Sequence, residues 1–113
     1  MSALLRSALE GGVLRLTLSD AATRNSLSEA MMAALTTTLD NAAADKAVRV
    51  IVLAAEGPAF SSGHNLKEIS AHRADADKGA AYFAALFDAC ARLMMGIVGN
   101  PRPVIAEVSG LAS

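Results

Sequence analysis

The sequence predicts an α/β domain. Three observations carry that expectation: a pair of strand-like segments joined by two glycines, an apolar run at Val48–Leu53 that reads as a buried strand, and two long stretches with apolar residues at helical spacing. Hydrophobic residues make up 53% of the 113 positions but aromatic residues only 4%, so the core must be built from Leu, Val, Ile, Met and Ala. Such a core suits helices packed closely on a sheet. A chain of this length is one domain's worth and buries somewhat over roughly 60% of its unfolded surface.

The elements follow in order. Leu4 to Glu10 and Val13 to Leu18 flank Gly11-Gly12, a two-residue connection of the kind that turns hairpins. In the second segment Leu14, Leu16 and Leu18 alternate with Arg15 and Thr17, which turns one face inward. Asp20 to Asn25 is a polar loop. Ser28 is the expected N-cap of a helix with Glu29 just inside its positive end, and Leu27, Met31, Leu35 and Leu39 repeat every fourth residue beyond it. Asn41 to Lys46 ends that helix, and the buried strand follows, in an order that suits a right-handed crossover. A short helix is expected from Leu66 to about Ser70, then a polar connection over 71–79, read as mobile. The next helix carries Tyr82, Phe83, Leu86, Phe87, Cys90, Leu93, Met94, Ile97 and Val98 at three-and-four spacing, and Gly99-Asn100-Pro101-Arg102-Pro103 stops it. Val104 to Val108 is expected as a third core strand, and Gly110-Leu111-Ala112-Ser113 as the start of a turn.

Composition narrows the partners. Ten basic and eleven acidic residues leave a net charge of −1, which offers no basic field to a nucleic acid and no polybasic stripe to a lipid surface. No apolar run approaches the ~18 residues that span a bilayer, and no basic segment followed by a sustained apolar stretch opens the chain, so a soluble, cytoplasmic protein is expected. Cys90 is the single cysteine, which excludes an internal disulfide and reads as a core position in a reducing compartment. Two histidines without a cysteine pair give no metal-ligand spacing, and no metal is expected.

The stretch that organises the chain is Glu56-Gly57-Pro58-Ala59-Phe60-Ser61-Ser62-Gly63-His64-Asn65-Leu66-Lys67-Glu68. Glycine and proline break a strand, small residues turn the backbone, and a helix begins. A loop of this kind can aim consecutive N–H groups at one spot, with a helix N-terminus behind it. Taken alone, such a loop is more often a connector than a site. Its company changes that reading: Asn25-Ser26-Leu27-Ser28 stands upstream and Pro103-Val104-Ile105-Ala106-Glu107-Val108-Ser109-Gly110 downstream. In that order the three segments resemble the N-A-L-S, F-C-A-G-x-D-L and P-V-I-A-A-V-N-G stretches of the enoyl-CoA hydratase/isomerase (crotonase) superfamily. The Ser62-Gly63-His64 version is similar to the branch called enoyl-CoA hydratase domain-containing protein 3.

The resemblance implies a crotonase-like (ClpP/crotonase) spiral of repeated β-β-α units, of which residues 1–113 would be the N-terminal part of a single truncated domain. It also implies an acyl-CoA substrate, no separate cofactor, and assembly into a homotrimer or hexamer. The activity implied most simply is hydration of a 2-enoyl-CoA, in which an oxyanion hole stabilises an enolate-like thioester. On the family's pattern the backbone N–H of His64 is one oxyanion donor. Its imidazole as a general base is the sharper idea, and the backbone role is preferred because that family position tolerates many side chains. The CoA moiety would lie against Thr23, Arg24, Ser26, Ser62, Gly63, His64, Asn65 and Leu66. Arg24 is equally well a phosphate-binding guanidinium or a solvated loop cation. Asn65 stands where the family most often has Asp, a departure that bears on full activity, although Asn can still cap the next helix. Glu56, Glu68 and Glu107 match neither of the carboxylates that family hydratases use, and the second oxyanion donor also falls beyond Ser113. The 113 residues alone are therefore expected to be inactive. The rival reading is a crotonase-fold protein without turnover that binds acyl-CoA or serves assembly.

Overall fold

A computed structural model describes residues 4–57, 59–61, 63, 65–108 and 111–112. Strands β1 (Leu5–Glu10) and β2 (Val13–Leu18) form the expected hairpin. Gly11 and Gly12 turn it with φ of 58° and 84°, the doubly left-handed backbone that a tight hairpin of this twist needs. Helix α1 (Glu29–Ala44) then carries the chain to β3 (Val50–Ala55), which lies parallel to β2 from Val13↔Val50 to Leu18↔Ala55. After β4 (Ala59–Ser61), α2 (Leu66–Ala71) and α3 (Ala80–Val98), β5 (Val104–Ala106) adds parallel to β3, and β6 (Leu111–Ala112) follows. The main sheet has the order β1-β2-β3-β5.

The core sits between this sheet and two helices. Leu5, Leu14, Leu16, Leu18 and Ile51 come from the sheet; Met31, Met32, Leu35, Leu39 and Ala42 from α1; Leu86 and Leu93 from α3. Alternation in β2 is obeyed: the three leucines are buried, Arg15 is exposed, and its guanidinium pairs with Glu107 at 2.9 Å. Cys90 is half-buried against this core. Ser28 caps α1, its Oγ accepting from Met31 N–H at 3.1 Å.

Several expectations shift. The buried strand begins at Val50 rather than Val48, because Val48 N–H closes the preceding turn on Asp45 C=O, and pairing to β2 runs on through Ala54 and Ala55. Val104–Ala106 is an edge strand, not a core strand: Ile105 and Ala106 are exposed on it, and no strand pairs with its outer side among the described residues. Leu111–Ala112, expected as a turn, is strand β6, paired in parallel with β4. The connection over 71–79 is a series of hydrogen-bonded turns, in which Asp75 N–H donates to His72 C=O and Lys78 N–H to Asp75 C=O.

Asp77 ends that connection. Its carboxylate accepts from Gly79 N–H at 3.0 Å and Ala81 N–H at 2.8 Å, so it serves the free amides at the start of α3 from two residues upstream. The Ala81 bond first and the Gly79 bond second hold its carboxyl below the ordinary value. A depressed folded pKa contributes stability above the unfolded pKa and loses it as pH falls through the folded one. Asp77→Ala should therefore lower the melting temperature at pH 7, and the gap to wild type should close on titration into the acid range below pH 4; a gap independent of pH would contradict this role.

Helix α3 forms where its three-and-four spacing predicts, over Ala80–Val98. Its 19 residues are long and apolar enough to cross a membrane by length and composition, contrary to the expectation that no run would be. Leu86 and Leu93 nevertheless pack on the core, and Asp88 and Arg92 form an ion pair at mid-helix. The opposite side stays open, with Phe87 67%, Met95 74% and Val98 86% exposed. Apolar surface of that kind seeks cover. In solution the 113-residue chain should scatter light as a species heavier than a monomer, and the double change Met95→Glu with Val98→Glu should lower that mass. A monodisperse wild-type monomer would count against it.

Candidate oxyanion and CoA site

The site is assembled from two loops that a buried asparagine holds together. Asn25 is 0% exposed and adopts φ of 56°, a left-handed conformation that Asn tolerates better than most residues. Its Oδ1 accepts from Asp20 N–H at 2.7 Å, and its N–H donates to Asp20 C=O at 2.7 Å. Its Nδ2 donates to Glu56 C=O at 2.8 Å, which joins the upstream loop to the end of β3. Its own C=O accepts from Ser61 Oγ at 2.8 Å, which joins it to β4.

The second join lies two residues further along each loop. Leu27 N–H donates to Gly63 C=O at 2.6 Å, and Gly63 N–H donates to Ser61 Oγ at 3.2 Å. Gly63 has φ of 85°, so a side chain there would be strained whatever space surrounds it. Asn65 caps α2, its Oδ1 accepting from Lys67 N–H at 3.0 Å and Glu68 N–H at 3.2 Å. Those amides are thereby used, and α2 has only six residues, so the helix end expected to add positive charge is occupied by its own cap. Any anion-binding capacity here belongs to the loop.

A chain of side-chain donors crosses between the loops. Asn65 Nδ2 donates to Ser26 Oγ at 3.4 Å, Ser26 Oγ to Thr23 Oγ1 at 3.0 Å, and Thr23 Oγ1 to Asp20 Oδ2 at 2.7 Å. Ser26 is 3% exposed, so its hydroxyl is committed inside the protein. Arg24, beside it, is exposed, with φ of 54°. Of the sequence-derived set, the structure brings Thr23, Ser26, Gly63 and Asn65 into one bonded cluster and leaves the Arg24 guanidinium facing outward. Leu66 opens α2. Ser62 and His64 lie outside the described residues.

The acidic residues weighed on sequence have other partners. Glu56 pairs with Arg6 and accepts from Ser19 Oγ at 2.7 Å, while Glu68 accepts from Glu29 N–H at 2.9 Å at the start of α1. His72, expected in the polar connection, caps the end of α2, contacts Asp75 at 2.7 Å through Nδ1 and stacks on Tyr82 at 3.7 Å. Burial raises the Tyr82 pKa, with the charges of Glu29 and Glu68 adding to it, and the phenol oxygen is buried without a hydrogen-bond partner. Among the described residues no group of three His, Cys, Asp or Glu side chains is placed to hold a metal ion. A groove of about 350 Å³ runs between α1 and α3 past Glu29, Thr36, Asp88 and Arg92, and none of the loop residues lines it.

Sequence reasoning missed Ser61 and Asn25 as side chains with a task. Asn25 carried a readable signal, a small polar residue before a helix start; Ser61 carried none that separates it from Ser62. Tyr82 was read only as part of an apolar stripe.

A glycine turn beside a parallel strand pair, its carbonyl held from behind, makes this loop the candidate site. Residues 8–113 match the family model for enoyl-CoA hydratase/isomerase, and the chain belongs to that family. It is 41% identical over 102 residues to human enoyl-CoA hydratase domain-containing protein 3, mitochondrial, covering 90% of this chain and 32% of that protein. It is 32% identical over 88 residues to a probable enoyl-CoA hydratase of Bacillus subtilis, covering 78% of this chain and 32% of that one. The crystal structure of the human protein superposes with a TM-score of 0.85 at 38% identity, over 96% of this chain and 41% of that chain. An enoyl-CoA hydratase from Mycobacterium smegmatis gives 0.85 at 42% identity, over 95% and 40%. The chain thus spans about a third of the length of the curated relatives named here.

Asn25 is the testable support of this arrangement. Replacing it with Ala deprives Asp20 N–H and Glu56 C=O of their partner at part-buried positions, at up to about 1–3 kcal/mol each, and forces a left-handed alanine. Asn25→Gly removes the same side chain but accepts the backbone. In urea denaturation both should lose on the order of 3 kcal/mol, with Ala the worse; equal losses would mean that the left-handed backbone contributes nothing.

Proposed function

We propose that this chain is the acyl-CoA-binding, oxyanion-donating part of a 2-enoyl-CoA hydratase. The observation that carries the reading is the grip of Leu27 N–H on Gly63 C=O. In a planar trans peptide the N–H lies opposite the carbonyl, so a Gly63 oxygen held on Leu27 suits a peptide that offers its N–H to a ligand on the other side. The donor is then the backbone of His64 and not its imidazole. A fixed backbone donor suits a thioester oxygen that gains negative charge during water addition, because it needs no reorganisation as the charge develops.

The parallel pairing of β4 with β6 supports the same reading. Parallel strands run to the same end of their pair, so Ser61 and Ala112 lie beside each other there. A second N–H from there can converge on the oxygen that the first one meets. Exposed Arg24 fits a CoA phosphate, with Thr23 and Ser26 holding its loop, and the pantetheine and thioester would pass along Ser62, Gly63, Asn65 and Leu66. The exposed side of α3 and the open edge of β5 are the surfaces that assembly into a homotrimer or hexamer would cover. The second reading, binding without turnover, is favoured by one specific observation: none of Glu56, Glu68 and Glu107 is free of internal partners.

The test separates binding from turnover. The purified 113-residue chain should bind crotonyl-CoA weakly in calorimetry, His64→Ala should bind equally well, and Gly63→Val should abolish binding by straining a φ of 85°. Absorbance of the enoyl thioester should not decay, because one donor is present where deletion of a single oxyanion donor costs roughly 10²–10³ in rate and loss of a general acid or base about 10²–10⁴. Binding that survives Gly63→Val would move the site elsewhere, and steady turnover would show that the catalytic groups are already in these residues.

A further inference from the structure

We propose that Ser61 is the positioning residue of this site, through a hydroxyl that accepts from Gly63 N–H and donates to the carbonyl of buried Asn25. The inference rests on the reading of the loop as the seat of a thioester oxygen. Two peptide planes meet at Gly63 Cα. The plane that ends in Gly63 C=O is held by Leu27 N–H at 2.6 Å, and the plane that carries Gly63 N–H is held by Ser61 Oγ at 3.2 Å. Glycine alone would let either plane swing, since φ of 85° has no Cβ to defend it. Ser61 closes that freedom because its oxygen is itself anchored at 2.8 Å to Asn25 C=O, on a residue with no exposed surface.

Both holds return to the same short segment, 25–27. The orientation of Gly63 is therefore set from that segment through one hydroxyl, held on Asn25, and one backbone amide, that of Leu27. Only the hydroxyl can be removed by mutation without touching the backbone. Ser61 sits on β4, a strand in which threonine is at least as well suited, so the hydroxyl can also be restored in a different side chain.

The experiment uses the 113-residue chain, crotonyl-CoA carrying ¹³C at the thioester carbonyl, and S-butyl-CoA, a thioether with no carbonyl oxygen. In wild type the bound carbonyl resonance should move downfield, as hydrogen bonding polarises it. Ser61→Ala should reduce that shift and weaken crotonyl-CoA about two- to tenfold, the range one hydrogen bond contributes. It should leave S-butyl-CoA affinity unchanged, speed hydrogen exchange of the Gly63 amide, and be rescued by Ser61→Thr. An unchanged carbonyl shift and Gly63 exchange in Ser61→Ala would overturn the proposal. Equal weakening of thioester and thioether would also overturn it, since that marks a structural role alone. Wild type that binds S-butyl-CoA with no carbonyl shift from crotonyl-CoA would overturn the oxyanion reading and this inference together, while loss of Gly63 protection in Ser61→Ala would separately confirm the hydrogen bond.

Discussion

The arrangement of this chain depends on satisfying one buried amide. Asn25 presents a backbone N–H and C=O and a side-chain carboxamide in a place that water does not reach, and each finds a partner in a different part of the loops: Asp20, Glu56 and Ser61. A buried polar group without partners costs about 1–3 kcal/mol, comparable to a large part of the stability of a small domain. Alternative packings of the two loops must break several such bonds at once. The loops consequently have one good arrangement, and it is the one that brings Leu27 to Gly63.

Sheet and helix are coupled to the same point. The polypeptide leaves β2, passes through the Asn25 turn and enters α1 under the Ser28 cap, so the direction of α1 is set a few residues after the buried amide. Alpha-helical stripe residues Met31, Leu35 and Leu39 can then meet Leu14, Leu16 and Ile51 across the layer. Parallel pairing of β2 with β3 follows from the length of that crossover, and β3 in turn delivers Glu56 to the Asn25 amide. The core and the site loop are thus two ends of one constraint, hydrophobic burial supplying most of the free energy and the amide selecting the geometry.

What could be read in the sequence was what local patterns encode. The double glycine, the Leu14-Leu16-Leu18 alternation, the four-residue repeat of α1 and the Ser28 cap each need only their own neighbours, and each agrees with the structure. Beta strands of two or three residues carry no such pattern. Strands β4 and β6 exist because segments some fifty positions apart lie side by side, and nothing within either announces it. That the Ser61 hydroxyl meets Asn25 could likewise be read only from the folded chain. Helix α3 was legible as a helix, its period being helical all along, but which of its apolar residues are covered depends on what packs against it, and among the described residues α1 is its main packing partner.

Asn65 shows why a departure from the family's pattern need not weaken a site of this kind. An aspartate at that position would cap α2 at least as well, but as an acceptor-only group it could not donate to Ser26, whose hydroxyl would have to turn to it and give up Thr23. It would also set a full negative charge in the loop proposed to hold a thioester oxygen, and two like charges a few ångströms apart repel by about 1 kcal/mol even in water and by several at lower effective dielectric. A neutral amide keeps the cap, adds the crossing bond and leaves the local potential less negative. Order in this loop is therefore supplied by dipoles and a buried carbonyl, with the one carboxylate of that hydrogen-bonded relay, Asp20, at its far end.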